Sequence, residues 1–413
     1  SYINKNKITE LFLFFVTIEK LPFHDEAVLM MRKIKPDYDL LTLDQRRLLF
    51  VKTILEESSL NYSNIPKGLL PFHKYKNHMS TAFEEHLFEA SKYACVNGKA
   101  VLHFTISKAH FKQFKSRLAA IQKSVESKTN TTFDITFSNQ DSTTDVLAVD
   151  LKNQPFRLNN KLLFRPSGHG ALIKNLNQID ADIVFVKNID NVVVNKYLEE
   201  IVRYKKVLAG LLLNTQKQAF AYAKALESKD ISKNEIAEIA DFLTQKLNIV
   251  INSQFGKYAN KHKIEYLKSK INRPIRVCGM VKNESEPGGG PFWVKHDNGE
   301  VSLQIVEASQ VDVNLKKQKA ILTNATHFNP VDIICGVKNH KGEAYDLEEF
   351  VDTNTYFVTT KTKHGRKLKT LERPGLWNGS MADWSTIFVE VPIITFNPVK
   401  RVNDLLKFTH QVK

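Results

Sequence analysis

The sequence predicts an α/β protein with a mostly parallel sheet, a helical insertion and an α+β closing segment. Two observations carry this expectation. Short apolar runs alternate with amphipathic helical stretches through residues 59–192, which is the pattern of strands joined by helices. The pattern then turns wholly helical from about Val193 to Ser269, before β-branched strands resume after Pro274. With 413 residues, 42% hydrophobic and 25% charged, the chain can bury one large core or two to three packed subdomains.

The elements follow in order. Residues 1–58 read as two or three helices, the first broken at Leu21-Pro22 and another opened by Thr42-Leu43-Asp44-Gln45, where Thr and Gln three residues apart can cap each other's backbone. A loop through Asn61, Ser63, Asn64 and Pro66 leads to Lys67-Gly68-Leu69-Leu70-Pro71-Phe72 and a helix from about Thr81 to Ala94. A strand at Ala100–Ile106 and a helix from Lys108 to about Ser127 begin the alternation. Further strands are expected at Phe133–Phe137, Val146–Val149 and Ile183–Val186, with a short helix between the last two. Three helices fill 193–270, with breaks near Asp230 and Asn252 and a cap at Ser232-Lys233-Asn234-Glu235. Residues 271–413 supply strands at Ile275–Cys278, Ser302–Val306, Val331–Gly336 and Ile387–Val391, and a last helix from Val402.

Composition narrows the function. A net charge of +15 favours anionic partners: phosphorylated small molecules, nucleic acid or an acidic membrane face. Lys and Arg form no basic block, which argues against a nucleic-acid arm and leaves that reading resting on charge alone. The three cysteines, Cys95, Cys278 and Cys335, make no Cys-x-x-Cys pair, so a disulfide framework or structural zinc is not expected and a reducing, cytoplasmic setting fits. The early apolar run Leu11–Val16 is far shorter than the roughly 18 residues of a spanning helix, so no membrane partner is expected.

The stretch richest in chemistry is Phe164-Arg165-Pro166-Ser167-Gly168-His169-Gly170, followed twelve residues on by Asp182-Ile183-Val184-Phe185-Val186-Lys187-Asn188-Ile189-Asp190-Asn191. A glycine-rich turn there opens a helix, and a buried strand ends in a carboxylate flanked by amides. Gly168 and Gly170 would let backbone approach a base or phosphate, and the following helix offers N–H groups to an anion. Asp190 at a strand's carboxyl end is a hard ligand for Mg²⁺ held between protein and phosphates. Taken singly, the first piece is a tight loop and the second an Asx turn. Together and in this order they favour a nucleotide site.

The segments Pro166-Ser167-Gly168-His169-Gly170 and Lys187-Asn188-Ile189-Asp190-Asn191 resemble the Pro-x-Gly-His-Gly and Asn-x-Asp-Asn signatures of UDP-sugar pyrophosphorylases, of the nucleotide-diphospho-sugar transferase superfamily. Pro66-Lys67-Gly68-Leu69-Leu70-Pro71 is similar to the superfamily's Pro-Lys segment, with Glu84, Glu85 and His86 on the helix behind it, and Ile305-Val306-Glu307-Ala308-Ser309-Gln310 resembles its Val-Glu-Tyr-Ser segment. Over nearly its whole length the chain also resembles an uncharacterised bacterial domain family with this core. The resemblance implies a Rossmann-like nucleotidyltransferase fold that binds a nucleoside triphosphate or nucleotide sugar. A sugar 1-phosphate would attack the α-phosphorus and release pyrophosphate. It implies Lys67 and Asp190 as catalytic residues, Lys67 neutralising phosphate charge and Asp190 holding Mg²⁺. Gly168, His169 and Gly170 would contact base or sugar, with Asn188 and Asn191 shaping the metal loop.

One departure stands out: the superfamily's glycine-rich phosphate loop precedes the Pro-Lys segment, and no glycine precedes Gly68 here. The loop is expected either in a piece upstream of Ser1 or to be lost, which would leave a non-catalytic nucleotide-sugar-binding protein. Two further constellations remain open. Arg276, Lys282 and Gly289, in the run through Ser285, Glu286 and Pro287 to Trp293, could wrap a phosphorylated ligand or form a plain turn. In Glu372–Trp384, Asp383 could add a second metal ligand and the tryptophans a sugar face, although two core aromatics around a turn is the simpler reading.

Overall fold

The structure is a computed structural model and describes residues 9–228, 230–284, 288–296 and 299–412. The chain divides into two compact units: Ser1–Phe137, Asn188–Tyr204 and Ile394–Lys413 form the first, Ser138–Lys187 and Lys205–Ile393 the second.

In the first unit, helices α1 (Thr9–Val16), α2 (His24–Ile34) and α3 (Leu43–Leu55) enclose Phe14, Phe23, Met31 and Phe50. The same cluster takes in Val192, Val399 and Leu405, which fasten the two later segments of the unit. α3 begins where expected: Gln45 N–H donates to Thr42 Oγ1 at 3.3 Å and Thr42 N–H to Gln45 Oε1 at 2.8 Å, a reciprocal cap of about 1 kcal/mol. Strands β1 (Pro71–Lys74) and β2 (Met79–Thr81) form an antiparallel pair, and β2 runs directly into α4 (Ala82–Tyr93), whose cap is Thr81. Strands β3 (Cys95–Val96), β4 (Lys99–Thr105) and β5 (Thr132–Ser138) make a three-stranded sheet, with α5 (Phe111–Thr129) joining β4 to β5. Phe83, Phe104, Phe114 and Phe137 pack edge-on or tilted between sheet and helices; the Phe83 and Phe104 centroids lie 4.7 Å apart.

In the second unit, short pairs β6 (Val146–Leu147) with β9 (Phe164–Arg165), and β7 (Arg157–Leu158) with β8 (Lys161–Leu162), precede α6 (Leu172–Asn177) and β10 (Ile183–Val186). α7 (Asn195–Glu227), which counts in the second unit from Lys205 onward, α8 (Lys233–Leu247) and α9 (Asn260–Ile271) match the three expected helices, and Ser232 and Glu235 cap α8 reciprocally. The strands that follow are β11 (Ile275–Lys282), β12 (Gly289–Lys295), β13 (Val301–Glu307), β14 (His327–Gly336), β15 (Phe357–Lys363), β16 (Arg366–Glu372) and β17 (Ser385–Glu390), with α10 (Lys316–Thr323) before β14.

The central sheet has the order β10-β14-β11-β17, and its pairings correct the expectation of a mostly parallel sheet. β14 runs antiparallel to both β10 and β11, and β11 with β17 is the parallel pair. Strands close in sequence are not neighbours here: Ile183–Val186 pairs with Ile333–Gly336, and a helical stretch separates β10 from β11 without making a crossover between adjacent strands. One sheet face buries Cys278, Met280, Ile333 and Cys335 against Ile173, Leu376, Met381 and Trp384. On the opposite face α7 comes close because two positions lack a Cβ. A Cβ on Gly279 would lie 3.0 Å from Leu208, and one on Gly336 2.0 Å from Gln216. Lys205, on the same helix face, forms a buried ion pair with Asp332 of β14. The expected last helix is also corrected: Val402–Leu406 and Phe408–His410 are 3₁₀ turns, the first fixed by Asp404 Oδ2 accepting the backbone N–H groups of Lys400 and Arg401, each at 2.8 Å. Among the described residues, no helix is long and apolar enough to cross a membrane.

Candidate functional site

In the first unit, Pro66 fixes the entry to a 3₁₀ turn at Lys67–Leu69. Gly68 lies so close to the 188–191 segment that a Cβ there would sit 3.0 Å from Ile189 Cγ1 and 3.2 Å from Phe114 Cζ. That approach places Lys67 beside Asp190. From the other side, His86 of α4 donates through Nε2 to the Ile189 carbonyl at 3.0 Å. The 188–191 segment is a tight turn closed by Asn191 N–H on the Asn188 carbonyl at 3.2 Å. Its side-chain amide is buried and committed: Asn191 Nδ2 donates to Thr395 O at 3.2 Å, and Asn397 N–H donates to Asn191 Oδ1 at 2.7 Å. Val399 N–H then donates to the Asp190 carbonyl at 3.1 Å.

The result is a carboxylate between two ammonium groups. Asp190 Oδ2 accepts from Lys67 Nζ at 2.9 Å and from Lys400 Nζ at 3.0 Å, and Lys67 Nζ donates again to Val399 O at 2.9 Å. Asp190 is 3% exposed, whereas the Lys67 and Lys400 side chains are 40% and 62% exposed, so the positive charge faces solvent and the negative charge does not. An ammonium carries three donors. Two of those of Lys67 and one of those of Lys400 are engaged by these contacts, which among the described residues leaves three N–H groups for an anion. Asp190 Oδ1 is buried and accepts no hydrogen bond from the described residues. Among the described residues, no three His, Cys, Asp or Glu side chains gather into a metal site. Asp190 therefore fits Mg²⁺ only as a single carboxylate contact through Oδ1, the manner in which Mg²⁺ is held when phosphates complete its shell.

The glycine-rich turn lies in the second unit, and its geometry is accounted for by contacts inside that unit. Gly168 has φ of +82°, and a Cβ there would lie 2.2 Å from Glu372 Oε2; one on Gly170 would lie 2.0 Å from the Pro374 carbonyl. His169 stacks on Trp377 with centroids 4.5 Å apart. Leu376 N–H donates to His169 Nδ1 at 2.9 Å, so the ring proton sits on Nε2 and donates to Glu307 Oε1 at 3.1 Å. Glu372 accepts from Lys361 Nζ at 2.5 Å and Thr359 Oγ1 at 3.2 Å.

The remaining sequence candidates are dispersed within this unit. Arg276 is fully buried, with Nε on Thr386 Oγ1 at 2.8 Å and one terminal nitrogen on the Trp377 carbonyl at 2.6 Å. Burial lowers its pKa and pushes the adjacent Cys278 thiol up to about 11. Lys282 is exposed and pairs with Glu390 at 3.5 Å, and Gly289 sits in β12 opposite Glu307. Asp383 is exposed, 3.8 Å from Arg273. Trp384 is a core residue and Trp377 packs against the same cluster. Ser285, Glu286 and Pro287 lie outside the described residues.

The sequence reading missed Lys400. Its signal was slight: a lysine after Asn397-Pro398, a rigid dipeptide that ends no regular element. Glu372, which opens the Glu372–Trp384 run, fills the space beside Gly168, a part the sequence did not indicate.

A family model described as "Domain of unknown function (DUF4301)" matches residues 1–411. No curated protein matches the chain. Among solved structures, the chain is similar to a UDP-glucose pyrophosphorylase variant from Leishmania major in complex with UDP-glucose, at 16% identity, TM-score 0.41, covering 82% of this chain and 61% of that one. It is similar also to a UDP-glucose phosphorylase from Trypanosoma brucei, at 14% identity, TM-score 0.40, covering 83% and 62%. The chain thus spans about three fifths of the length of these structures.

Proposed function

The chain belongs to the DUF4301 family, and on that premise we propose that it is a nucleotidyltransferase-like protein whose Lys67, Asp190 and Lys400 receive the phosphates of a nucleoside triphosphate or nucleotide sugar. The observation that carries this reading is the pair of half-exposed ammonium groups held on one buried carboxylate. Motif order supports it, because Lys67 and Asp190 are the two positions that the likeness to UDP-sugar pyrophosphorylases marks as catalytic, and they meet 123 residues apart in sequence.

The chemistry asked of these residues is positioning and charge neutralisation. Asp190 holds both lysines in place, so little ordering is needed when the anion arrives. Lys67 and Lys400 then donate to oxygens of the transferring phosphate as negative charge builds toward the leaving pyrophosphate. A sugar 1-phosphate is already ionised at neutral pH and needs no general base. Mg²⁺, when bound at Asp190 Oδ1, would neutralise phosphate oxygens. Asn188 and Asn191 are proposed to hold the Asp190 turn.

One observation favours a second reading, a nucleotide-sugar-binding protein without turnover. A carboxylate already engaged by two ammonium groups serves as their counter-ion and is a weakened metal ligand. The two readings separate in one assay. The chain is incubated with each of the four nucleoside triphosphates, a hexose 1-phosphate and Mg²⁺, and pyrophosphate release is followed. Release that is lost in Lys67→Met supports transfer; binding without release supports the second reading; neither binding nor release defeats both.

A further inference from the structure

The first unit buries a second polar cluster. His73 of β1 places Nδ1 2.9 Å from Glu85 Oε1 of α4 and Nε2 2.9 Å from His410 Nδ1. His410 Nε2 lies 3.1 Å from the Asn397 carbonyl. His73, Glu85 and His410 are 0%, 3% and 2% exposed, so water does not complete these contacts. The chain is therefore four groups joined by three contacts: carboxylate, imidazole, imidazole, carbonyl.

Each contact needs one hydrogen between its heavy atoms. The carboxylate and the carbonyl at the two ends bring none, and two neutral imidazoles bring one each. Three contacts filled by two protons would leave one pair of acceptors facing each other in a buried place, which is unfavourable. We infer that the Glu85–His73–His410 chain holds one proton beyond those of two neutral rings, and that this proton makes it a positioning device for the Asn397–Lys400 segment. The inference rests on the reading of Lys67, Asp190 and Lys400 as an anion site.

The extra proton sits at the Glu85 end. Burial, with His73 beside it, lowers the pKa of His410 to about 3, so that ring is neutral. It donates through Nε2 to Asn397 and accepts through Nδ1 from His73 Nε2. His73 consequently donates through Nε2, and the third proton lies between His73 Nδ1 and Glu85 Oε1; carried on the ring it makes His73 with Glu85 an imidazolium–carboxylate pair, neutral as a whole. The surrounding groups agree. Tyr75, whose pKa burial and Glu85 raise, keeps its hydroxyl proton and directs it at Glu85 Oε2, 3.4 Å away. Glu84 also faces Tyr75, and Lys407 and Asp404 act on His410 with opposite sign.

The far end of the relay reaches the lysine site. The His410 ring takes the Asn397 carbonyl, and Asn191 Oδ1 takes the Asn397 N–H, so both faces of one residue are held. Two and three residues later come the Val399 carbonyl, which accepts from Lys67, and Lys400, which reaches Asp190. Losing the extra proton breaks one link of the relay and frees the segment that carries Lys400.

Two measurements on the full chain test this. Histidine ring-nitrogen NMR at neutral pH should show one ring protonated on both nitrogens, removed in His73→Phe, and a neutral Nε2–H ring removed in His410→Gln. Glu85→Gln should turn the His73 signal neutral, because an amide donor replaces the proton. Two neutral rings together with an ionised Glu85, read from its carboxyl carbon shift, would overturn the inference. Calorimetry with pyrophosphate supplies the second arm: His73→Phe should weaken binding about tenfold, as when one of two ammonium donors is misplaced. Equal pyrophosphate affinity in native and His73→Phe overturns the positioning role. No pyrophosphate binding by the native chain defeats the anion site and with it the positioning role, whereas the proton count is still decided by NMR.

Discussion

Replacing Lys205 by Met should cost the second unit about 3 kcal/mol or more. Lys205 and Asp332 are 1% and 8% exposed as side chains, and they pair between α7 and β14 on the sheet face where Gly279 and Gly336 admit the helix. Removing the cation leaves a carboxylate in a place too dry to solvate it, and an uncompensated buried charge costs about 3–5 kcal/mol. The slight exposure of Asp332 puts the expectation at the lower end of that range. The paired change Lys205→Met with Asp332→Leu removes both charges at similar volume and should return stability to within about 1–2 kcal/mol of native, or above it. Urea titration of the three proteins, followed by tryptophan fluorescence, measures both numbers, since Trp293, Trp377 and Trp384 all lie in this unit. A single variant within about 1 kcal/mol of native, or a double variant no better than the single, would show that the pair does not govern the docking of α7.

Acid should act through His410. With a pKa lowered from 6.5 to about 3 by burial, the native ring is neutral where the unfolded one takes a proton, so stability is lost as pH falls from 6.5 toward 3. At about 1.4 kcal/mol per unit the loss is on the order of 5 kcal/mol at most, and His410→Gln should show a shallower decline over that window in the same titration. Gly168→Ala, at φ +82° and with Glu372 Oε2 in the place of the new methyl group, should lower stability by about 1–3 kcal/mol in thermal unfolding. A thiol reagent at neutral pH should label Cys95 and leave the native chain's Cys278, buried and pushed up to about 11, unmodified by mass spectrometry.

What was legible in the sequence was mostly local. Thr42 with Gln45, and Ser232 with Glu235, announce helix starts because capping needs only residues three apart. Lys67 and Asp190 were found together because motif order stood in for distance. Strand direction was not legible: nothing in Ile183–Val186 specifies that its neighbour will be Ile333–Gly336, so alternation suggested parallel pairing where antiparallel pairing is found. The helix expected at Val402 fails for a local reason as well, because Asp404 binds the backbone ahead of it and Lys407 begins a second short turn. Lys400, His73 and His410 stayed hidden since each acts through partners more than ten residues away, and a lone lysine or histidine has no pattern of its own.

Lys67 and Lys400, held by Asp190, are proposed to form a phosphate site. Calorimetric titration of the native chain and of Lys67→Ala/Lys400→Ala with nucleoside triphosphates, with and without Mg²⁺, tests it most directly. The native chain should bind, and binding should weaken by about a hundredfold or more when both ammonium groups are gone, since each charge-assisted donor is worth about 1.5–3 kcal/mol. Equal affinity in the two proteins, or no binding by the native chain at any concentration of triphosphate, would contradict it.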